Sequence, residues 1–537
     1  MIQRKTQNPE YWGDELVISS EDLQYLSTLL VEDELPRSAL ELGQALILRR
    51  IRQEEALIER ALSQGTLYQP KKHYEIGDRV VFPALGYRVG EVLGVRLGHN
   101  PEYGTFQVIQ VSFENGKQRE FAAEFTHDHV LNRDSDSGSS GEEALLSADE
   151  LVERYAEQVA QALEKRLEME PDFVCLAGKW FRRDLLVNVH EGHLNLAEAA
   201  LDMAGGGPLP TDALLGDLEL PEEITPQLRV FSLNYALQED GRFDEVGPAG
   251  EVLWFLRRME PESVQSTPLH LRYRPLEYDQ ASLTSEMLAL EQTLGDEWSE
   301  IEANMSLGKD KDSDPTAPVT VVLTYPHWKS GTLPLSACLR HVFPTGRTHR
   351  IRFTFVDEET GEEMPGWVVR EGRYVYGLGE WYRRYEVLVG AYLDLQRGKQ
   401  PDTVLIRRHS RRPRREWVRV ALPIQQRLTF EMRKKSVACE YDELMVIGVE
   451  DEGYPIEEVW QHVNKHRLPL AEIIAGIFPE LAKLSPQGNV HAATLYSAVN
   501  LAMRVPPGPM LAELVDSGSY APIGDSYWVL RVLNAVG

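Results

Sequence analysis

Two polar interruptions set the terms on which this chain can fold. Residues 133–143 read RDSDSGSSGEE and residues 308–318 read GKDKDSDPTAP. Ser/Gly/acidic and Pro-containing runs of this kind carry no apolar pattern from which a core could be built, so they read as linkers. At 537 residues the chain also exceeds what one core supports, and domains of roughly 100 to 200 residues lead to about three to five of them.

No stretch approaches the roughly 18 uninterrupted apolar residues of a membrane-spanning helix, and the opening MIQRKTQNPEYWGDE lacks the apolar run of a secretory signal. The expectation is a cytoplasmic protein with no membrane partner. The three cysteines, Cys175, Cys338 and Cys439, lie too far apart for a metal knuckle or a disulfide framework and read as small buried hydrophobes. The formal charge of −28 argues against a simple nucleic-acid coat, yet its distribution is uneven. Residues 320–437 hold 22 Lys and Arg against 12 Asp and Glu, a net of +10, which leaves −38 for the rest of the chain. A basic centre inside an acidic protein permits local phosphate contact while limiting unspecific association.

Residues 36–65 open with Pro36, close with Gly65 and set Ile47, Ile51, Ile58 and Leu62 on one stripe, which predicts an amphipathic helix in a helical region over 1–70. Over 71–132 the texture becomes strand-like. In FQVIQVSF, Ile109, Val111 and Phe113 alternate with Gln110 and Ser112, and Asn115-Gly116 follows as a hairpin signal. With YEIGDRVVFPALGYRVGEV, this unit resembles the small SH3-like barrels of the CarD, KOW and Tudor type. The resemblance implies RNA polymerase, nucleic acid or peptide as partner.

After the linker over 133–147, residues 148–262 open with a charged amphipathic helix. They then show NLAEAALDMAGGGPLPTDALL, a helix-turn-helix pattern, and end in an aromatic hairpin in which Phe243-x-x-Val246-Gly247 precedes Trp254. Residues 431–537 repeat that grammar, with Tyr520-x-x-Ile523-Gly524 ahead of Trp528. Both resemble winged helices of the class found in the RNA polymerase delta subunit. A helix and polar linker are expected over 263–318.

The segment 319–430 holds most of the basic charge. Strand-like runs at 319–323, 351–356, 367–370 and 392–395 alternate with helical stretches at 335–342 and 378–385. The order HWKSGTLPLSACLRHVFP, then PGWVVREGRYVYGLGEWYRRYEVLVGAYLDLQR, resembles the B-three pseudobarrel of plant transcription factors and of some restriction-endonuclease effector domains. The familiar Gly-Asp of that family is here Gly390-Ala391. In that family two arms grip the major groove. The resemblance therefore implies DNA contacts from 325–332, including His327, Trp328, Lys329, Ser330 and Thr332, and from 370–373, including Arg370 and Arg373. Arg bidentate to guanine and Lys, His and Ser on phosphate would supply that chemistry. Arg347 and Arg350, with His349 and Arg352, add a charged approach, unless the alternation only marks the outer face of a strand.

Beyond it, Arg407, Arg408, Arg411, Arg412, Arg414 and Arg415 place six arginines in nine positions ahead of Trp417. The run reads as a nucleic-acid contact with a stacking surface, as a solvated loop, or as a dock onto the chain's own acids. No nucleotide-binding or nucleophile motif appears. HEGH at 190–193 lacks the four-residue histidine spacing of a zinc peptidase, THDHV at 127–131 lacks a third ligand, and the acids around Thr360-Gly361 read as a hairpin turn.

The sequence thus predicts a multidomain α+β protein made of a small β-barrel, two winged-helix-like domains and a B-three-like pseudobarrel, without cofactor or metal. It would be a non-enzymatic adaptor that binds double-stranded DNA through its basic centre, with RNA polymerase or another protein as a second partner. A protein-interaction scaffold, or the recognition part of a nuclease or defence system, is the alternative.

Overall fold

The computed structural model describes residues 4–13, 16–114, 116–127, 129–132, 145–216, 218, 220–221, 224–299, 317–450 and 456–531. Most of both expected linkers, 133–144 and 300–316, lies outside the described residues, as do Asn115 and Asp128. The fold is mixed α+β, with one sheet curled into a half-barrel, and no helix among the described residues is long and apolar enough to cross a membrane. The chain forms two compact units, Met1–Asn188 with Leu220–Tyr235, and Val189–Glu219 with Ala236–Gly537.

In the first unit, three helices begin at reciprocal caps. Ser19 with Asp22, Ser38 with Glu41 and Ser147 with Glu150 each exchange hydrogen bonds that satisfy two orphan N–H groups. The helices Ser20–Asp33, Ala39–Gln64 and Ala148–Leu167 bury Leu26, Leu30, Leu42, Leu46, Leu151, Val159 and Leu163 in one core. The expected amphipathic helix is thus present as Ala39–Gln64. Its Gly43 lets the backbone approach Ala160 so closely that an added Cβ would sit 3.3 Å from the Ala160 nitrogen.

Between those last two helices the chain builds a five-stranded sheet. Thr66–Leu67, Arg79–Phe82, Arg88–Asn100, Gly104–Phe113 and Gln118–Ala123 lie side by side in sequence order around Tyr68, Val80, Phe82, Val92, Ile109 and Val111. The turn at Gly116 closes through its N–H to the Phe113 carbonyl, 2.8 Å away, with φ at +74°.

The second unit is built on a seven-stranded sheet. Its spatial order is Val319–Val322, Tyr392–Arg397, Thr403–Arg408, Arg350–Asp357, Glu363–Val369, Tyr374–Tyr376 and Thr332–Pro334. Leu333, Ile351, Phe353, Phe355, Val375, Leu393 and Ile406 fill its core. The four expected strands and the helix Gly379–Arg384 are found. The helix expected at 335–342 is absent, and the loop expected around 325–332 is instead the helix Tyr325–Ser330. Pro326 starts that helix, and Gly331 at φ +65° stops it.

The arginine-rich run is no loop either. Arg407 and Arg408 end one strand of the sheet, and Ser410–Ile424 pairs antiparallel with Arg427–Cys439 as a long hairpin turning at Gln425 and Gln426. The hairpin runs across the expected boundary at 430/431.

A recurrent arrangement appears three times. A helix, a short strand, two helices and an antiparallel pair of strands follow one another, with the short strand beside the last. The helices Leu470–Ala482, Ala492–Val499 and Pro507–Asp516 carry the strands Asn489–His491, Tyr520–Gly524 and Tyr527–Leu530. Earlier, the same order of elements runs Glu191–Met203, Leu209–Pro210, Thr211–Leu215, Pro226–Glu239, Phe243–Glu245 and Leu253–Leu256, and the three strands form one sheet. The third instance was not foreseen. Ser20–Asp33, Ala39–Gln64 and Ala148–Leu167 carry Arg37–Ser38, Phe173–Leu176 and Lys179–Arg182, with the five-stranded sheet inserted.

The three agree in register. Trp180 lies opposite Cys175, two residues after Phe173. Trp254 lies opposite Glu245, two after Phe243, and Trp528 lies opposite Pro522, two after Tyr520. All six aromatic side chains are buried.

Candidate nucleic-acid interface

The first arm expected to touch DNA is mostly interior. His327 and Thr332 are 1% and 0% exposed, so neither reaches solvent: His327 sits on the buried side of the helix Tyr325–Ser330, and Thr332 begins the strand Thr332–Pro334. His327 Nδ1 lies 2.9 Å from Thr332 Oγ1, and its Nε2 lies 3.1 Å from a Glu297 carboxylate oxygen. The Trp328 indole N–H donates to the Val387 carbonyl at 2.7 Å, and the Ser330 hydroxyl is buried without a hydrogen-bond partner. Of this arm only Lys329 is exposed.

The second group is divided. Arg350 is held by Asp244 at 2.8 Å and Glu260 at 3.1 Å. Arg352 is largely buried, which pushes its guanidinium down to about 10. Arg373 donates to the Glu297 carbonyl at 3.2 Å and lies over the Trp298 ring at 4.6 Å. Arg370 donates to the carbonyls of Gly346 and Thr348 at 2.7 and 3.2 Å but stays exposed, as does Arg347.

The arginine run separates into paired and open members. Arg407 pairs with Asp394 at 2.6 Å, Arg408 with Glu359 at 3.3 Å and Arg411 with Glu416. Burial alone would raise Asp394, but Arg407, Thr320 and His409 hold it down to about 2. Arg412, Arg414 and Arg415 are exposed and have no ion-pair partner among the described residues. A β-bulge between Ser410 and Arg414 sets Arg412 apart from the regular ladder, which resumes with Arg414 opposite Val437.

The hairpin that carries them holds nine Lys and Arg over 410–439 against Glu416 and Glu431 alone. Trp417 is 60% exposed. Lys434 stands directly opposite it in the ladder, with Nζ 5.3 Å from the indole ring centre. Lys434 and Arg427 lack an ion-pair partner among the described residues. These two escaped the sequence reading because the second strand switches face. Leu428 and Phe430 are buried at even positions, then Val437 and Cys439 at odd ones, which hides the period of two.

A buried ionic cluster was also missed. Arg504 lies 2.8 Å from Asp296 and 2.7 Å from Glu297, and the Tyr496 hydroxyl donates to Asp296. Burial, with the neighbouring Glu297 charge, raises Asp296, while Arg504 and His327 overcome burial and hold Glu297 down to about 2. The cluster is closed to solvent and braces the interior of the second unit. Among the described residues, no group of His, Cys, Asp or Glu could hold a metal ion.

Comparison of the chain with models of protein families, with curated proteins and with solved structures returns no match.

Proposed function

We propose that this protein is a nucleic-acid-binding adaptor whose contact surface is the hairpin 410–439. The observation that carries the reading is the set of open cations on that one element: Arg412, Arg414, Arg415, Arg427 and Lys434, without carboxylate partners among the described residues. An exposed cation cluster in a chain of net charge −28 is where polyanion contact concentrates. Lys329, Arg347 and Arg370 stay in the reading as exposed outer contacts. The seven-stranded sheet with its two short helices supports a B-three-like pseudobarrel, and double-stranded DNA is the partner that resemblance implies.

The recurrent helical arrangement supports three winged-helix-like modules instead of two, the first one interrupted by the barrel. The third helices of the first and last are poor partners for phosphate, and Pro226–Glu239 balances Arg229 with Glu239. Ala148–Leu167 carries five acids against three cations, and Pro507–Asp516 carries Glu513 and Asp516 with no cation. These modules therefore serve as protein-binding or bracing elements, and an RNA polymerase or similar partner would meet them or the barrel. The protein acts without catalysis of its own in this reading.

Titration of the full chain against a labelled duplex over a salt series tests the proposal. Five phosphate contacts give a slope of log K against log salt of about −4 to −5. The triple variant Arg412→Gln/Arg414→Gln/Arg415→Gln should flatten it by about 2 to 3. Absence of binding to this duplex and to a single strand alike at low salt sinks the reading. The intramolecular pairing of Arg350, Arg407, Arg408 and Arg411 favours a second one, a scaffold whose basic run docks onto its own acids. Partners captured from a lysate would then survive nuclease treatment.

A further inference from the structure

We propose that the hairpin face around Trp417 takes an unpaired strand in preference to a duplex, an inference that rests on the nucleic-acid reading above. Trp417 shares its face with Arg415 two residues earlier and with Lys434 and Ser436 opposite, because side chains two apart along a strand, and those directly across from them, point the same way. Met432 lies one pair further along, 41% exposed. An exposed indole is thus bordered by the open cations Arg415 and Lys434 on the same face.

A duplex offers this surface little. Its base faces are stacked inside, and an indole entering a groove meets base edges that it can address only with one N–H donor. An unpaired strand exposes a π face at every base, which an aromatic platform engages whatever the sequence, while neighbouring cations take the phosphates on either side. Spacing agrees. Side chains two apart on a strand are separated by about 6.6 Å, roughly twice the 3.4 Å rise of a stacked DNA strand. The array therefore matches a backbone drawn out beyond its stacked length.

Fluorescence anisotropy of the full-length protein with labelled oligothymidylate and a blunt duplex of equal length tests this. The single strand should bind at least about tenfold tighter. Trp417→Ala should weaken it roughly five- to hundredfold while leaving the duplex unchanged, and Trp417→Phe should restore most of the loss. The side chain is mostly exposed, so neither substitution disturbs the core, and unchanged circular dichroism verifies that. Equal or tighter duplex binding, or single-strand binding indifferent to Trp417→Ala, overturns the inference and leaves the nucleic-acid reading standing. Failure of both oligonucleotides removes both. Polyglutamate competing as well as the single strand, whatever residue 417 is, identifies an acidic protein as the occupant and likewise overturns it.

Discussion

Arg504 and Asp296 stand 208 positions apart in sequence and 2.8 Å apart in space, both almost fully buried. Arg504→Met removes the guanidinium that pairs with both Asp296 and Glu297. Breaking a buried ion pair from one side costs about 3–5 kcal/mol. Urea unfolding should register a loss of that size, and combining Arg504→Met with Asp296→Asn and Glu297→Gln should recover a large part of it.

The burial of Glu260 beside Asp244 makes stability depend on pH, against the opposing pull of Arg350. Burial, with the neighbouring Asp244 charge, pushes Glu260 up to about 8, and one of its carboxyl oxygens is buried without a hydrogen-bond partner. A carboxyl raised in the folded state binds its proton more tightly there than in the unfolded chain. Its contribution is complete below the ordinary value near 4.5 and is lost as pH rises toward about 8. Melting temperatures of the protein and of Glu260→Gln should therefore converge at pH 5, and the variant should be the more stable at pH 8.5. Parallel curves would refute the assignment.

The hairpin turn is open to improvement. Gln425 and Gln426 adopt φ of +48° and +65°, a backbone that Asn-Gly adopts readily and glutamine does not. Replacing the pair by Asn-Gly should stabilise the protein by about 1 kcal/mol, read as a higher denaturant midpoint at an unchanged slope.

The three registered tryptophans give matched probes. Trp180→Ala, Trp254→Ala and Trp528→Ala should each cost about 3–5 kcal/mol, because each ring fills the same position of a recurring core. A surface tryptophan such as Trp417 should cost less than about 0.5 kcal/mol when truncated. Equilibrium unfolding of the four variants makes the comparison.

What the sequence disclosed was local. The spacings Phe243 to Trp254 and Tyr520 to Trp528 exposed two of the three hairpins, since an aromatic, a turn and a tryptophan lie within a dozen residues. Phe173 and Trp180 form the same hairpin but escaped, because the strand completing their sheet, Arg37–Ser38, lies far upstream. Pro326 and Gly331 bracket a helix that the basic residues between them disguised as a loop. The fate of individual cations was not legible at all. Whether Arg350 finds Asp244 or Arg412 stays open is decided by residues distant in sequence, and no local pattern carries that.

The five-stranded sheet inserted between two helices of the first unit sets an order on folding. Helices Ala39–Gln64 and Ala148–Leu167 share a core, yet the chain between them must first be brought round on itself. A flexible loop of that length slows the search for the partner helix, since its closure entropy grows with the logarithm of its length. A sheet that folds early, with its neighbouring strands paired in sequence order, gathers Thr66–Ala123 into one folded body and leaves a shorter loop to close. The other two instances of the recurrent arrangement, with their helices close in sequence, need no such help. Pulse-labelled hydrogen exchange should then show protection of the five-stranded sheet before that of the helices Ala39–Gln64 and Ala148–Leu167, and a destabilised sheet should delay those helices alone.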